Sequence, residues 1–155
     1  MTGMYAAGIS HTIFTGSKSY IQTVISTSTS YSSENFQEMD AEGQFNGTFF
    51  DELQHNALRF SSYYNRKVSS KLSYRTGIKL NRLNYKYYSR DLVDSTQIWD
   101  TFLNSDGQTN LYQAYGQGKY KFSDNVIFTA GLSYVHFALS KDNSIEPRLG
   151  LVVGL

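Results

Sequence analysis

Lys71-Leu72-Ser73-Tyr74-Arg75-Thr76-Gly77-Ile78-Lys79-Leu80 is the stretch on which the fold turns. Leu72, Tyr74, Thr76, Ile78 and Leu80 occupy every second position, with Lys71, Ser73, Arg75, Gly77 and Lys79 between them. Successive side chains of a β-strand leave on opposite faces, so this alternation makes a strand with one apolar and one polar face. A helix would gather its apolar residues three and four apart. The same period returns downstream. Tyr112, Ala114, Gly116, Gly118, Tyr120 and Phe122 alternate with Gln113, Tyr115, Gln117, Lys119 and Lys121. Pro147, Leu149, Leu151, Val153 and Leu155 alternate with Glu146, Arg148, Gly150, Val152 and Gly154.

Extended to the whole chain, the pattern predicts seven strands near 4–15, 18–32, 53–65, 69–88, 109–122, 125–138 and 145–155. Gly16-Ser17, Asn65 to Val68 and Ser123-Asp124 read as tight polar turns, while 33–52, 89–108 and the shorter 139–144 read as longer connections. Short and long connections therefore alternate, as they do between the two ends of a membrane barrel. Most of the strands reach the roughly 9–11 residues that a tilted membrane strand needs, against about 5–6 for a soluble one. A soluble sandwich would place turn signals every 8–12 residues or so, closer than they fall here. The expected fold is all-β: a segment of an antiparallel up-and-down transmembrane β-barrel.

Composition agrees with such a wall. Of 155 residues, 40% are hydrophobic and 17% charged, with 13 Tyr, 10 Phe and 1 Pro. Aromatics favour strands, and tyrosine suits a boundary between an apolar and a wet phase. No apolar run is long enough for a membrane helix, which a barrel does not need. A net charge of +1 offers no bulk attraction for a polyanion. With no cysteine, disulfides, thiolate metal sites and cysteine nucleophiles are excluded. Seven strands do not close a bacterial single-chain barrel, whose strand number is even, and lipid does not tolerate open edges. Met1-Thr2-Gly3-Met4 lacks the basic and apolar regions of a signal peptide. Residues 1–155 are thus expected to be one partial barrel domain of a longer protein.

Two stretches resemble the C-terminal half of the barrel in TonB-dependent receptors, of the type that begins with a carboxypeptidase-regulatory-like domain. The first is Leu111-Tyr112-Gln113-Ala114-Tyr115-Gly116-Gln117-Gly118-Lys119-Tyr120-Lys121-Phe122, the turn Ser123-Asp124-Asn125, and Val126-Ile127-Phe128-Thr129-Ala130-Gly131-Leu132-Ser133-Tyr134. It runs on into Asn143-Ser144-Ile145-Glu146-Pro147-Arg148-Leu149-Gly150-Leu151, and the Ser-Ile-Glu-Pro-Arg strand is its most specific part. The second, Tyr64-Asn65-Arg66-Lys67 leading to Tyr74-Arg75-Thr76-Gly77-Ile78, resembles an earlier hairpin; Gly8-Ile9-Ser10-His11 matches more weakly. The resemblance implies a barrel of about 22 strands plugged by an N-terminal domain. It also implies an outer-membrane location, partnership with lipid, plug and the TonB system, and energised import of a scarce solute, with no cofactor. The plug, the TonB-contacting segment and a final strand ending in an aromatic residue are not in this sequence.

Residues 53–90 hold many cations, and after Glu52 no acidic residue appears before Asp91. Arg59, Lys71, Arg75, Lys79, Arg82 and Lys86, with Lys119 and Lys121, are candidates for a basic wall lining the lumen. Arg82 and Lys86 join the polar face if a β-bulge near Asn81 or Arg82 shifts the phase. Such a wall would meet acidic plug residues or an anionic solute; the plainer reading is that lysines solubilise a polar lumen face. Glu146 and Arg148, two apart on one face, can pair with each other or across strands, and read as structural positioning of the lumen wall. Tyr64, Tyr85, Tyr87, Tyr112, Tyr120 and Phe122 lie near strand ends, where barrels carry aromatic girdles. Glu34, Glu38, Asp40, Glu42, Asp51 and Glu52 read as a solvated acidic loop or a Ca²⁺ site without EF-hand spacing. His11, His55 and His136 show no partner spacing, and no catalytic or nucleic-acid motif occurs. The expectation is a non-catalytic transporter segment; the alternatives are a passive porin-like or autotransporter barrel and a soluble all-β adhesin.

Overall fold

The computed structural model describes residues 1–39, 45–93 and 98–154. Its elements are β1 (Thr2–Gly16), β2 (Ser19–Met39), β3 (Phe45–Lys67), β4 (Leu72–Val93), β5 (Ile98–Lys121), β6 (Val126–Phe137) and β7 (Asp142–Val153). They make one antiparallel sheet in the order β1-β2-β3-β4-β5-β6-β7, so each strand pairs with its neighbours in sequence and the topology is up-and-down. The described residues contain no helix.

Side-chain chemistry closes the tight turns. Between β3 and β4, the Val68 and Ser69 amides both donate to the Leu72 carbonyl, at 2.9 and 3.1 Å. The Ser69 hydroxyl accepts from the Leu72 and Lys71 amides at 3.0 and 3.1 Å, a serine standing in for a backbone acceptor. Between β5 and β6, the Phe122 amide donates to the Val126 carbonyl at 2.9 Å, and Lys121 Nζ meets Asp124 at 2.8 Å. The β6–β7 turn uses the left-handed region at Lys141, with φ 60°.

Two expected connections are mostly strand. β2 runs on to Met39 and β3 begins at Phe45, while β4 runs on to Val93 and β5 begins at Ile98. Only 40–44 and 94–97 separate them, and these lie outside the described residues. The polar composition of 33–52 and 89–108 argued for loops, but backbone pairing carries the strands, and aromatic contacts between strands reinforce it. Phe36 and Phe49 lie 5.7 Å apart and Phe49 and Phe102 6.0 Å, with Ser89 fully buried. Arg90 sits 5.1 Å from the Phe50 ring centre and 4.6 Å from that of Trp99. Such pairs stabilise an antiparallel ladder without any apolar alternation.

The strands group into two compact units. The first comprises Met1–Ala7, Thr27–Ala57 and Leu83–Gln108, and holds the aromatic contacts just described. There the Tyr5 and Tyr31 rings stack at 6.2 Å, and Thr29 donates to Asn56 at 2.8 Å. The second comprises Gly8–Ser26, Leu58–Arg82 and Thr109–Leu155. Its β5–β6 register runs from Leu111↔Phe137 to Lys121↔Ile127, and its β6–β7 register from Val126↔Val153 to Phe137↔Asp142. Pro147 is opposite Leu132 on β7, a strand with a single neighbour in the sheet order, where a missing amide donor is tolerated.

Among the described residues only Ala57, Ser89 and Ser133 are buried. One layer of sheet has no interior of its own. Its large apolar side chains stand exposed, Leu149 at 78% and Ile9 at 71% among them.

Candidate functional site

The second unit presents two unlike faces. On the first, the register aligns Ala114 with Tyr134 and Ile145, Gly116 with Leu132 and Pro147, and Tyr120 with Phe128 and Leu151. Ile78, Tyr64 and Ile21 share a groove of about 620 Å³ with Leu132 and Tyr134, open where Gly116 has no side chain. Aromatic rings gather at both ends of this apolar field. Beside the turns, Tyr120 packs edge-on against Phe122 at 4.8 Å, Phe122 lies 6.5 Å from Phe128, and Tyr64 lies 5.9 Å from Tyr74. At the far end Tyr112 stacks on His136 at 5.9 Å. There Asn143 Oδ1 accepts from the Tyr134 hydroxyl at 2.6 Å and lies 2.9 Å from His136 Nδ1.

The opposite face is polar and cationic. The Arg75 guanidinium lies 4.5 Å from the Tyr63 ring centre, and Lys79 Nζ 5.8 Å from that of Tyr115. The Tyr63 hydroxyl donates to Gln22. Gly77, between the two cations, is what lets these rings close in. A Cβ there would lie 2.7 Å from both the Ser62 carbonyl oxygen and Tyr63 Cβ, and 2.9 Å from the Tyr115 hydroxyl. The register then brings Arg148 opposite Gly131 and Gln117, and Glu146 opposite Ser133 and Tyr115. Arg148 Nη2 and Glu146 Oε2 pair at 3.0 Å. Arg75, Lys79, Gln113, Tyr115, Gln117 and Arg148 surround a recess of about 200 Å³.

The expected basic residues are distributed as follows. Arg75 and Lys79 share that recess, which also gathers Arg148 from β7. Lys71 and Lys119 meet in a second recess of about 420 Å³ beside the β3–β4 turn, together with Lys67 and Lys121. Lys121 is partnered by Asp124. Arg59 and Arg82 are exposed on β3 and β4, and Lys86 is exposed in the first unit. Of the expected girdle, Tyr64, Tyr112, Tyr120 and Phe122 belong to the second unit, Tyr85 and Tyr87 to the first. Tyr85 closes over Gly107 with its hydroxyl 3.4 Å from Ser105, and Tyr87 lies beside Asp51. Sequence reasoning missed the roles of Tyr63, Tyr115 and Gln22. A glycine inside a strand between two cations was the available signal of close approach.

In the acidic segment, Asp40 and Glu42 lie outside the described residues. Among the described residues no group of three or more His, Asp or Glu is placed to hold a metal ion. No helix there is long and apolar enough to cross a membrane.

The Lys121–Asp124 pair makes a pH prediction. The hydrogen bond from Lys121, then its charge, lowers the Asp124 carboxyl below the ordinary aspartate value. A depressed carboxylate contributes its pairing above the unfolded value and loses it as pH falls through the folded one. Carboxyl ¹³C titration should therefore give Asp124 a lower midpoint in the parent than in Lys121→Gln. Equal midpoints would mean that the pair does not form.

What the arrangement can do follows from its two faces: one suits an apolar medium, the other can hold anions or other polar groups by charge and hydrogen bonding. No protein-family model matches the chain, and no curated protein matches it either.

Proposed function

We propose that this chain is wall and loop-bearing strand of a bacterial outer-membrane β-barrel, in a TonB-dependent receptor that imports a scarce solute. The observation that carries this reading is the apolar field of the second unit, exposed and bounded by aromatic rings at both ends. Leu132, Ile145, Leu149 and Leu151 are 55%, 66%, 78% and 63% exposed. Covering a leucine-sized side chain contributes about 1.5–3 kcal/mol, so leaving this field in water forfeits on the order of 10 kcal/mol. Lipid would cover it. From Tyr112 to Tyr120 is eight strand steps, roughly 27 Å along the strand, or about 21 Å of height at a tilt of about 40°. A barrel's apolar band is about 25 Å tall.

On this reading the face of Arg75 and Lys79 lines the lumen, and the role is transport without catalysis. The TonB-dependent class rests on the sequence resemblance, above all on Ser144 to Arg148 in β7. Lipid and a plug domain are the expected contacts, and nucleic acid is not among them. The test exploits the absence of native cysteine. Ile78→Cys and Lys79→Cys variants are reconstituted in lipid and exposed to a membrane-impermeant thiol reagent. Lys79→Cys should label and Ile78→Cys should not. The reverse pattern would invert the two faces and remove the proposal.

A further inference from the structure

Three cations converge on one recess of the second unit. Arg75 and Lys79 come from β4 and Arg148 from β7, while Gln113 and Gln117 of β5 add amide donors and Tyr115 a wall. Glu146 is taken up by Arg148 at 3.0 Å. Among the described residues neither Arg75 nor Lys79 has a carboxylate within ion-pair distance. Both are instead held against aromatic rings, Arg75 at 4.5 Å from Tyr63 and Lys79 at 5.8 Å from Tyr115. A ring face restrains a cation without neutralising it, so the charge stays available to a ligand. Tyr63 is itself fixed through its hydroxyl to Gln22. The groups are therefore positioned before any ligand arrives.

We propose that this recess is an oxyanion-binding site, taking the phosphate or carboxylate group of a small solute. Guanidinium forks and amide donors match the paired oxygens of such groups, and an ammonium adds a point charge. Size favours a small ligand over a folded segment. The recess, about 200 Å³, has the room of roughly six waters at about 30 Å³ each. That suffices for one oxyanion with part of its hydration. Two glycines shape the site: Gly131, between Gln117 and Arg148 in the register, allows a close approach in which a Cβ would lie 3.1 Å from the Gly116 carbonyl oxygen, and Gly77 admits the two rings. That this solute is cargo in transit rests on the transport reading; that the recess binds oxyanions does not.

The test is calorimetric titration of the full chain in detergent with pyrophosphate and, in parallel, with citrate, at ionic strength held constant with chloride. Saturable binding of at least one is expected, and the stronger of the two names the group. Arg75→Gln and Lys79→Gln should each weaken it at least tenfold, with circular dichroism verifying that the sheet is retained. Lys119→Gln removes the same charge from the same face outside this recess, and should change the affinity less than twofold. Absence of saturation by either anion overturns the proposal. So does an equal loss in all three variants, which would mean diffuse attraction by the basic stripe. A hexaglutamate peptide that binds more tightly than both small anions would assign the recess to a protein segment, and would equally overturn it. Face labelling at Ile78 and Lys79 remains the separate measure of the transport reading.

Discussion

Leu132→Arg should destabilise the lipid-embedded protein by about 2–4 kcal/mol, the cost of an arginine on a barrel's lipid face near the bilayer midplane. Leu132 is 55% exposed and aligned between Gly116 and Pro147, midway along the apolar field. Among the described residues no carboxylate adjoins it on that face: its neighbours in the register are glycine and proline, and the groove beside it is lined without Asp or Glu. Ser144→Arg adds the same side chain at an exposed position on the opposite face, outside the recess, where the change should stay within about 0.5 kcal/mol. Urea unfolding in lipid vesicles, followed by circular dichroism, measures both. If Leu132→Arg proves as mild as Ser144→Arg, that face is not in lipid and the outer-membrane reading fails.

Gly77→Val should cost about 2–3 kcal/mol, at the upper end of what overpacking a tight contact does. The 2.7 Å approach is to a backbone carbonyl, that of Ser62, which cannot swing aside as a side-chain tip would. Tyr63 and Tyr115 would also be forced off Arg75 and Lys79, so oxyanion affinity should fall with stability. Gly116 is the internal control. A Cβ there would meet nothing within 4 Å, and Gly116→Ala should be neutral or stabilise slightly, since glycine in a strand interior costs roughly 0.5–1 kcal/mol relative to alanine. The same unfolding experiment applies. Equal stability of Gly77→Val and Gly116→Ala would mean that the rings do not close over β4 as described.

The alternation of Leu72, Tyr74, Ile78 and Leu80 with Lys71, Arg75 and Lys79 was enough to define two faces, and seven elements joined by alternating short and long connections were enough for an up-and-down order. Both follow from local rules, since the pleat turns each side chain opposite to the last. The β5–β6 turn was legible for the same reason, since Asp124 bonds to Lys121 three residues away. The β3–β4 turn was not: expected at Asn65 to Val68, it falls between Lys67 and Leu72, where the Ser69 hydroxyl takes the Lys71 and Leu72 amides. The extensions of β2 to Met39 and of β5 back to Ile98 were not legible, because an antiparallel ladder is held by backbone groups that every residue type carries. Nor was the recess. It needs Tyr115 to reach Gly77 and Arg148 to approach Arg75, which depends on the register between strands far apart in sequence. Period two tells which face a side chain takes. Only pairing between strands, set by their hydrogen bonds and side-chain contacts together, decides which residues on that face become neighbours.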